Sequence, residues 1–428
     1  MSPAERTRTG ARHPKGRGRH RGGALVLLLA AVLAGVGLTA LPEDDDREGR
    51  APCAPRRVTS WTPDRPTTEE FARYGDDGSR DDDWTGGDGT HSVRLPDGRT
   101  LWLFSDTFLG KVHAPPNRWG QPHAWRDESA PFVRNSAALM DRSGRLERTL
   151  PAPLFADPAP GQWRWPVAAK VEPRSAGSAE KVVRVLLWTR ATGTGPWIYG
   201  LPLATEVATL SLPDLRLEST VRVSDQSSVP DPAERVLYGT TTVDGAEYTY
   251  VFGGNDGKTA TQPTAEAYVA RVPHGRLADP DAWRYWDGAG WGKGETVEPV
   301  LGDGAKKGVG SGYSVVRDDG TWVLFTAAAG AEGLSTLTTY WACAPTGPWH
   351  GPAKGFAPPL PPDSAPQQGT AVYNPQAHPA LRADDGRLLL GYDVNWLDAD
   401  PQVAQGHVSR NVSLYRPRFL RLRLAPGD

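Results

Sequence analysis

The sequence predicts an all-β fold, a five-bladed β-propeller preceded by an N-terminal apolar helix, on three observations. The 428-residue chain holds 48 Gly and 40 Pro among many short apolar runs, a composition that favours strands and turns over long helices. One hairpin pattern recurs five times: a short apolar strand, a turn ending in Gly, and a second apolar strand. Between these hairpins lie further strands, at Glu266 to Val272, Ser335 to Trp341 and Phe419 to Leu424, so each unit has room for the four strands of a propeller blade. A β-sandwich with similar hairpins is the competing fold.

The N-terminal segments differ from the rest. Residues 1–23 carry seven basic side chains and read as a cytoplasmic tail. Residues 24–41 are an uncharged apolar run, followed by the acidic Glu43-Asp44-Asp45-Asp46. A basic flank and an apolar run fit export with the N-terminus left inside, the run being a transmembrane anchor or a signal h-region. Residues 42–60 read as a linker and 61–428 as the propeller. The body is therefore expected outside the cytoplasm, on a single-pass membrane anchor or secreted. There the only two cysteines, Cys53 and Cys343, are expected to form a disulfide.

The first hairpin is the clearest. His91-Ser92-Val93-Arg94 and Leu101-Trp102-Leu103-Phe104 flank Leu95-Pro96-Asp97-Gly98-Arg99, with Pro and Gly where a short hairpin loop needs them. Pairing Leu95 with Arg99 carries the register back to Asp88 opposite Asp106. Like charges facing each other destabilise a strand pair. Either the fold uses these two acids or they are exposed loop carboxylates. The second unit is read from Asn135 to Met140 with Lys170 to Glu172 and Val182 to Trp188. The third is read from Leu237 to Phe252, the fourth from Tyr313 to Phe325, and the fifth from His378 to Tyr392.

The first strands of propeller blades line a central channel, so residues heading each unit converge on one pocket. Asn135, Trp165, Tyr313 and His378 are the candidates to hold a ligand there by hydrogen bonds and stacking. The 16 Trp suit a sugar-binding protein, and the net charge of −2 argues against a nucleic-acid partner. The sequence contains no convincing nucleotide loop, H-E-x-x-H or G-x-S-x-G motif. Asp81-Asp82-Asp83 reads as a solvated loop, and no metal or cofactor is expected.

Carboxylates remain. Glycoside hydrolysis needs two, and facing hairpin positions suit the short separation of a retaining mechanism. Asp88 and Asp106 are the catalytic candidates. Glu172, Glu206, Asp256 and Asp393 are the other acids considered, Glu206 and Asp256 as either a third pocket acid or surface groups.

The Gly86-Gly87-Asp88 and Leu95 to Asp106 signature resembles the opening blade of actinobacterial five-bladed propellers related to the endo-D-arabinofuranase family of glycoside hydrolases. Arg134-Asn135-Ser136, Trp163-Arg164-Trp165-Pro166, His378-Pro379 and the ending Leu414-Tyr415-Arg416-Pro417-Arg418-Phe419 also resemble that superfamily, over roughly residues 84–424. The resemblance implies cell-wall D-arabinan as substrate and Asp88 and Asp106 as the catalytic pair. There is a departure: relatives often carry Gly-Asp after the second-blade Trp-Pro, where this chain has Val167-Ala168-Ala169-Lys170. A monomeric glycoside hydrolase acting on a polysaccharide is the function expected. A non-catalytic glycan- or protein-binding propeller is the alternative.

Overall fold

The computed structural model describes residues 53–77, 81–194, 199–256, 265–303, 307–328, 334–398 and 400–427. The basic tail and the apolar run at 24–41 lie outside them. No helix among the described residues is long and apolar enough to cross a membrane.

Five antiparallel blade sheets follow one another along the chain, and a further three-stranded sheet of Trp84–Gly87, Thr107–Leu109 and Phe132–Val133 stands beside blade one. Blade one is His91–Arg94, Thr100–Phe104, Ser136–Met140 and Leu146–Thr149. Blade two is Gln162–Pro173, Lys181–Ala191, Leu201–Leu210 and Leu217–Asp225. Blade three runs from Leu237–Asp244 through Tyr248–Gly254 and Ala267–Pro273 to two short outer strands. Blade four is Ser314–Asp318, Thr321–Ala327 and Leu337–Ala342. Blade five is Thr370–His378, Leu388–Trp396 and Arg418–Pro426, completed by Arg56–Pro63 from the start of the body.

The ring of blades shows in how apolar side chains are shared. Val93, Leu101 and Leu139 of blade one bury with Val183, Val185 and Leu210 of blade two. Leu186 and Val207 of blade two bury with Val251 and Ala270 of blade three. Phe252 and Val269 join Val315 and Leu324 of blade four, and Val323 and Phe325 join Leu390 and Leu420 of blade five. The circuit closes where Leu389 and Phe419 of blade five meet Trp102 and Phe104 of blade one around Phe71. Phe71 belongs to the helix Arg65–Gly75, whose first turn is capped by Asp64 accepting from the Thr67 N–H at 2.9 Å.

Closure corrects the linker boundary. Residues 56–60 are not linker: Arg56 to Pro63 pair with Pro426 to Leu420, so the outer strand of the last blade comes from the other end of the chain. Arg56 is ion-paired to Asp318 at 3.7 Å and also to Asp319. Just upstream, Cys53 is bonded to Cys343, with Cα atoms 5.6 Å apart. The second unit also needs correcting. Ser136–Met140 is the third strand of blade one, and blade two opens at Gln162. An apolar five-residue strand looks the same in sequence whether it lies first or third.

Candidate active site

The first hairpin has the register its turn dictates. The loop closes with the Leu95 N–H on the Arg99 carbonyl at 2.8 Å, and Gly98 takes φ +87°. His91 pairs with Leu103 and Arg94 with Thr100. Beyond the strand, Asp88 donates its N–H to the Asp106 carbonyl at 3.2 Å and accepts from the Ser105 N–H at 2.7 Å. The chain stays paired through Gly87 with Thr107. The two aspartates therefore face each other, and both are partly exposed.

A third acid joins them. Asp393 lies on the second strand of blade five and is buried. It accepts from the Gly89 N–H at 2.6 Å, the Thr90 hydroxyl at 2.7 Å and the Asn374 amide at 3.2 Å. Gly89 permits this approach by taking φ +63°, and a Cβ there would stand 2.4 Å from the Ser105 Oγ.

The three carboxyls have different surroundings. Asp88 accepts from the Tyr373 hydroxyl at 2.8 Å and also from Tyr415. Burial, then the charges of Asp106 and Asp393, push its pKa well above the usual carboxylate range. Asp106 accepts from Arg134 Nη1 at 2.9 Å and from the Trp165 indole N–H at 2.8 Å. Burial raises Asp106 too, but Arg134 and Trp165 work against it, so its rise is smaller. Asp393 is pushed up to about 6 by burial, against its hydrogen bonds.

Aromatic rings extend the pocket wall beyond Asp106. The Arg134 guanidinium lies 4.3 Å from the Trp163 ring centre and 5.6 Å from that of Phe132, and Phe132 is exposed. Tyr199 is also exposed and feels the charge of Asp88.

Of the four proposed ligand contacts, only Trp165 touches this cluster. Asn135 is buried, donating to the Phe155 carbonyl at 2.8 Å and the Arg164 carbonyl at 3.1 Å and accepting from the Phe155 N–H at 2.8 Å. It latches the chain between blades one and two. Tyr313 is buried with its hydroxyl on the Gly253 carbonyl at 2.6 Å. His378 is buried against Trp102, with ring centres 4.9 Å apart, and its Nδ1 lies 2.7 Å from the Ser92 Oγ. These three are framework residues, because no face of them is open to a ligand. His378 ends its strand, and the pocket end of blade five is instead Tyr373 and Asn374.

Asn135→Ala is therefore expected to cost about 1–3 kcal/mol through the backbone groups it strands. Denaturant unfolding would read this as a lower midpoint. Per folded molecule, turnover should stay near wild type.

The other acids are paired elsewhere. Glu206 is buried with Arg164 Nε at 2.6 Å, so it is neither a surface group nor a partner of Asp88. Glu172 is buried on Arg184 at 3.1 Å, and Asp256 is bound to Arg190 at 2.7 Å. Val167 and Ala168, at the departure from Gly-Asp, pack into the core between blades two and three. Among the described residues no cluster of His, Cys, Asp and Glu has the arrangement of a metal site.

Sequence reasoning missed Arg134, Tyr373 and Tyr415 as pocket residues. Arg134 and Tyr415 stand inside motifs singled out above, which carried the available signal.

Residues 69–424 match the model of a family described as a domain of unknown function, DUF5005. The chain belongs to the DUF5005 family. No curated protein matches the sequence. Among solved structures, it is similar to a Bacteroides ovatus protein provisionally assigned as a hydrolase. That match has a TM-score of 0.60 and 18% identity, and covers 85% of this chain and 90% of the other. Another is the catalytic domain of the Coprinopsis cinerea GH62 α-L-arabinofuranosidase, at TM-score 0.44 and 12% identity over 79% of this chain and 90% of that one. A third is the α-L-arabinofuranosidase PaAbf62A of Podospora anserina, at TM-score 0.43 and 11% identity over 80% and 91%.

Proposed function

We propose that this DUF5005 protein is a glycoside hydrolase that cleaves a polysaccharide, with cell-wall D-arabinan the first substrate to test. The observation that carries the reading is the cluster of Asp88, Asp106 and Asp393, in which two facing carboxyls have opposed surroundings. A group that keeps its proton beside one whose ionised form is supported by an arginine and an indole N–H is the division of labour that glycoside hydrolysis requires.

In this reading Asp88 is the acid/base. Its proton, retained because of burial and two neighbouring acids, passes to the leaving sugar's oxygen. Asp106, supported by Arg134 and Trp165, attacks the anomeric carbon as that bond breaks. Asp88, now a carboxylate, takes a proton from water. The water oxygen then displaces Asp106, and the sugar leaves with retained configuration. The register that sets Asp88 opposite Asp106 supports a short carboxyl separation, and hence retention. The third acid favours catalysis over binding alone, since buried like charges cost stability that a passive binding module has no use for.

The setting proposed is extracytoplasmic, as a monomer whose residues 24–41 act as anchor or signal. The Cys53–Cys343 bridge supports an oxidising compartment. The test is sugar release from a panel of polysaccharides that includes D-arabinan. New reducing ends from one member support the reading. Saturable binding of that glycan with no cleavage at any pH from 4 to 9 would favour the binding-module alternative.

A further inference from the structure

Trp165 reaches Asp106 from blade two, and its ring is backed by an ion pair, buried on its arginine side, that joins blades two and three. Arg190, at the end of the strand Lys181–Ala191, is 2% exposed. Its Nη1 and Nη2 donate to the two carboxylate oxygens of Asp256 at 2.7 and 2.8 Å. Nη1 also donates to the Gly200 carbonyl at 3.0 Å, next to Tyr199. The Arg190 Cζ stands 5.2 Å from the Trp165 ring centre and 5.3 Å from that of Trp188. Trp188 is itself fixed, donating its indole N–H to the Tyr238 carbonyl at 2.9 Å.

A two-point Arg–carboxylate bond holds the guanidinium plane in one orientation. A cation at this distance from an aromatic ring attracts it, which restrains the ring in turn. Burying the arginine of such a pair is a poor way to gain stability, since apolar residues of similar size often do as well. From this we propose that Arg190, clamped by Asp256, is a positioning residue that holds the Trp165 ring so that its indole N–H stays on Asp106. Its catalytic consequence rests on the reading of Asp106 as a reacting group. Asp106 also faces Asp88, Arg134 and Tyr415.

The test uses Asp256→Asn and Arg190→Lys, with tryptophan indoles labelled with 15N. Trp165→Phe identifies the Trp165 signal, and Asp106→Asn identifies its response to Asp106. In both clamp variants the Trp165 indole proton is expected to move upfield and to track Asp106 less as pH changes. Turnover should fall about tenfold to a hundredfold, as for a misplaced reacting group, with KM nearly unchanged. The acidic limb of the pH profile should shift to higher pH, because Asp106 loses a donor that favours its charged form. Asp256→Asn is the gentler change, since Asp256 is partly exposed at a strand end. An indole signal identical to wild type in a folded Asp256→Asn variant overturns the proposal. A displaced indole signal in a protein that cleaves no glycan leaves the clamp standing and overturns the hydrolase reading instead.

Discussion

Asp88→Asn is expected to lower turnover about 10²–10⁴-fold, the range for losing a general acid–base group, and Asp106→Asn by at least as much. Asp88→Asn should also melt at a higher temperature than wild type at pH 7. The reason is linkage. A carboxyl whose folded pKa lies above its unfolded value favours the fold while protonated, and that contribution is lost as pH rises through the folded value. Asp88 is such a group, raised by burial and by Asp106 and Asp393. For Asp393 the window runs from the ordinary 3.8 to about 6. Above these values the cluster holds like charges at close quarters. An amide at position 88 removes one of them and can still accept from the Tyr373 hydroxyl. Thermal unfolding at pH 5 and pH 8 checks the sign: the gain from Asp88→Asn should be larger at pH 8. A loss of stability at pH 8 would show that the cluster is not under electrostatic strain.

Removing the disulfide, as Cys53→Ser with Cys343→Ser, is expected to cost about 2–5 kcal/mol. Cys53 precedes the strand Arg56–Pro63, which joins the two ends of the body in blade five. The bridge closes a loop of 290 residues, so its loss frees a long stretch of the unfolded chain. Strand pairing from Arg56 to Pro63 and the Arg56 ion pairs remain, so the variant should fold and keep the pocket. Urea midpoints of the double variant and of reduced wild type should fall together. Equal midpoints for oxidised and reduced protein would mean that the closing strand holds without its staple.

How far the sequence reveals this site depends on which interactions are local. The Asp88–Asp106 pairing was legible because a tight turn fixes register, and register fixes what lies opposite. Blade five was read as opening at His378, the last residue of its first strand, for a physical reason. Its first strand contains Pro375, an ordinary strand breaker, and the pairing is irregular between Tyr373 and Gln376, where Asn374 takes φ +47°. That irregularity turns Asn374 toward Asp393 and sets Tyr373 on Asp88. The residue that broke the pattern thus lies beside the residues that build the pocket. His378 was singled out instead, and it serves the core.

Asp393 was considered only as one acid among several, since its neighbour Gly89 lies 304 positions away in the chain. Glu206 and Asp256 show the reverse problem. Glu206 was read near a strand end but lies in the middle of Leu201–Leu210, and its partner Arg164 comes from two strands away in the same blade, while Asp256 meets Arg190 from the next blade. The ring closure was hidden in a similar way, because Arg56–Pro63 follows a linker-like stretch and finds its partner only at Arg418–Pro426. In each case the missing information is a long-range pairing that local pattern does not encode.

The most direct test of the central claim is the first product formed by wild type, Asp88→Asn and Asp106→Asn proteins on D-arabinan and the other polysaccharides of the panel. Proton NMR of the anomeric region follows the reaction as it proceeds. The account predicts new reducing ends from wild type, appearing first with retained configuration, and essentially none from either variant. Equal product from wild type and both folded variants would contradict it.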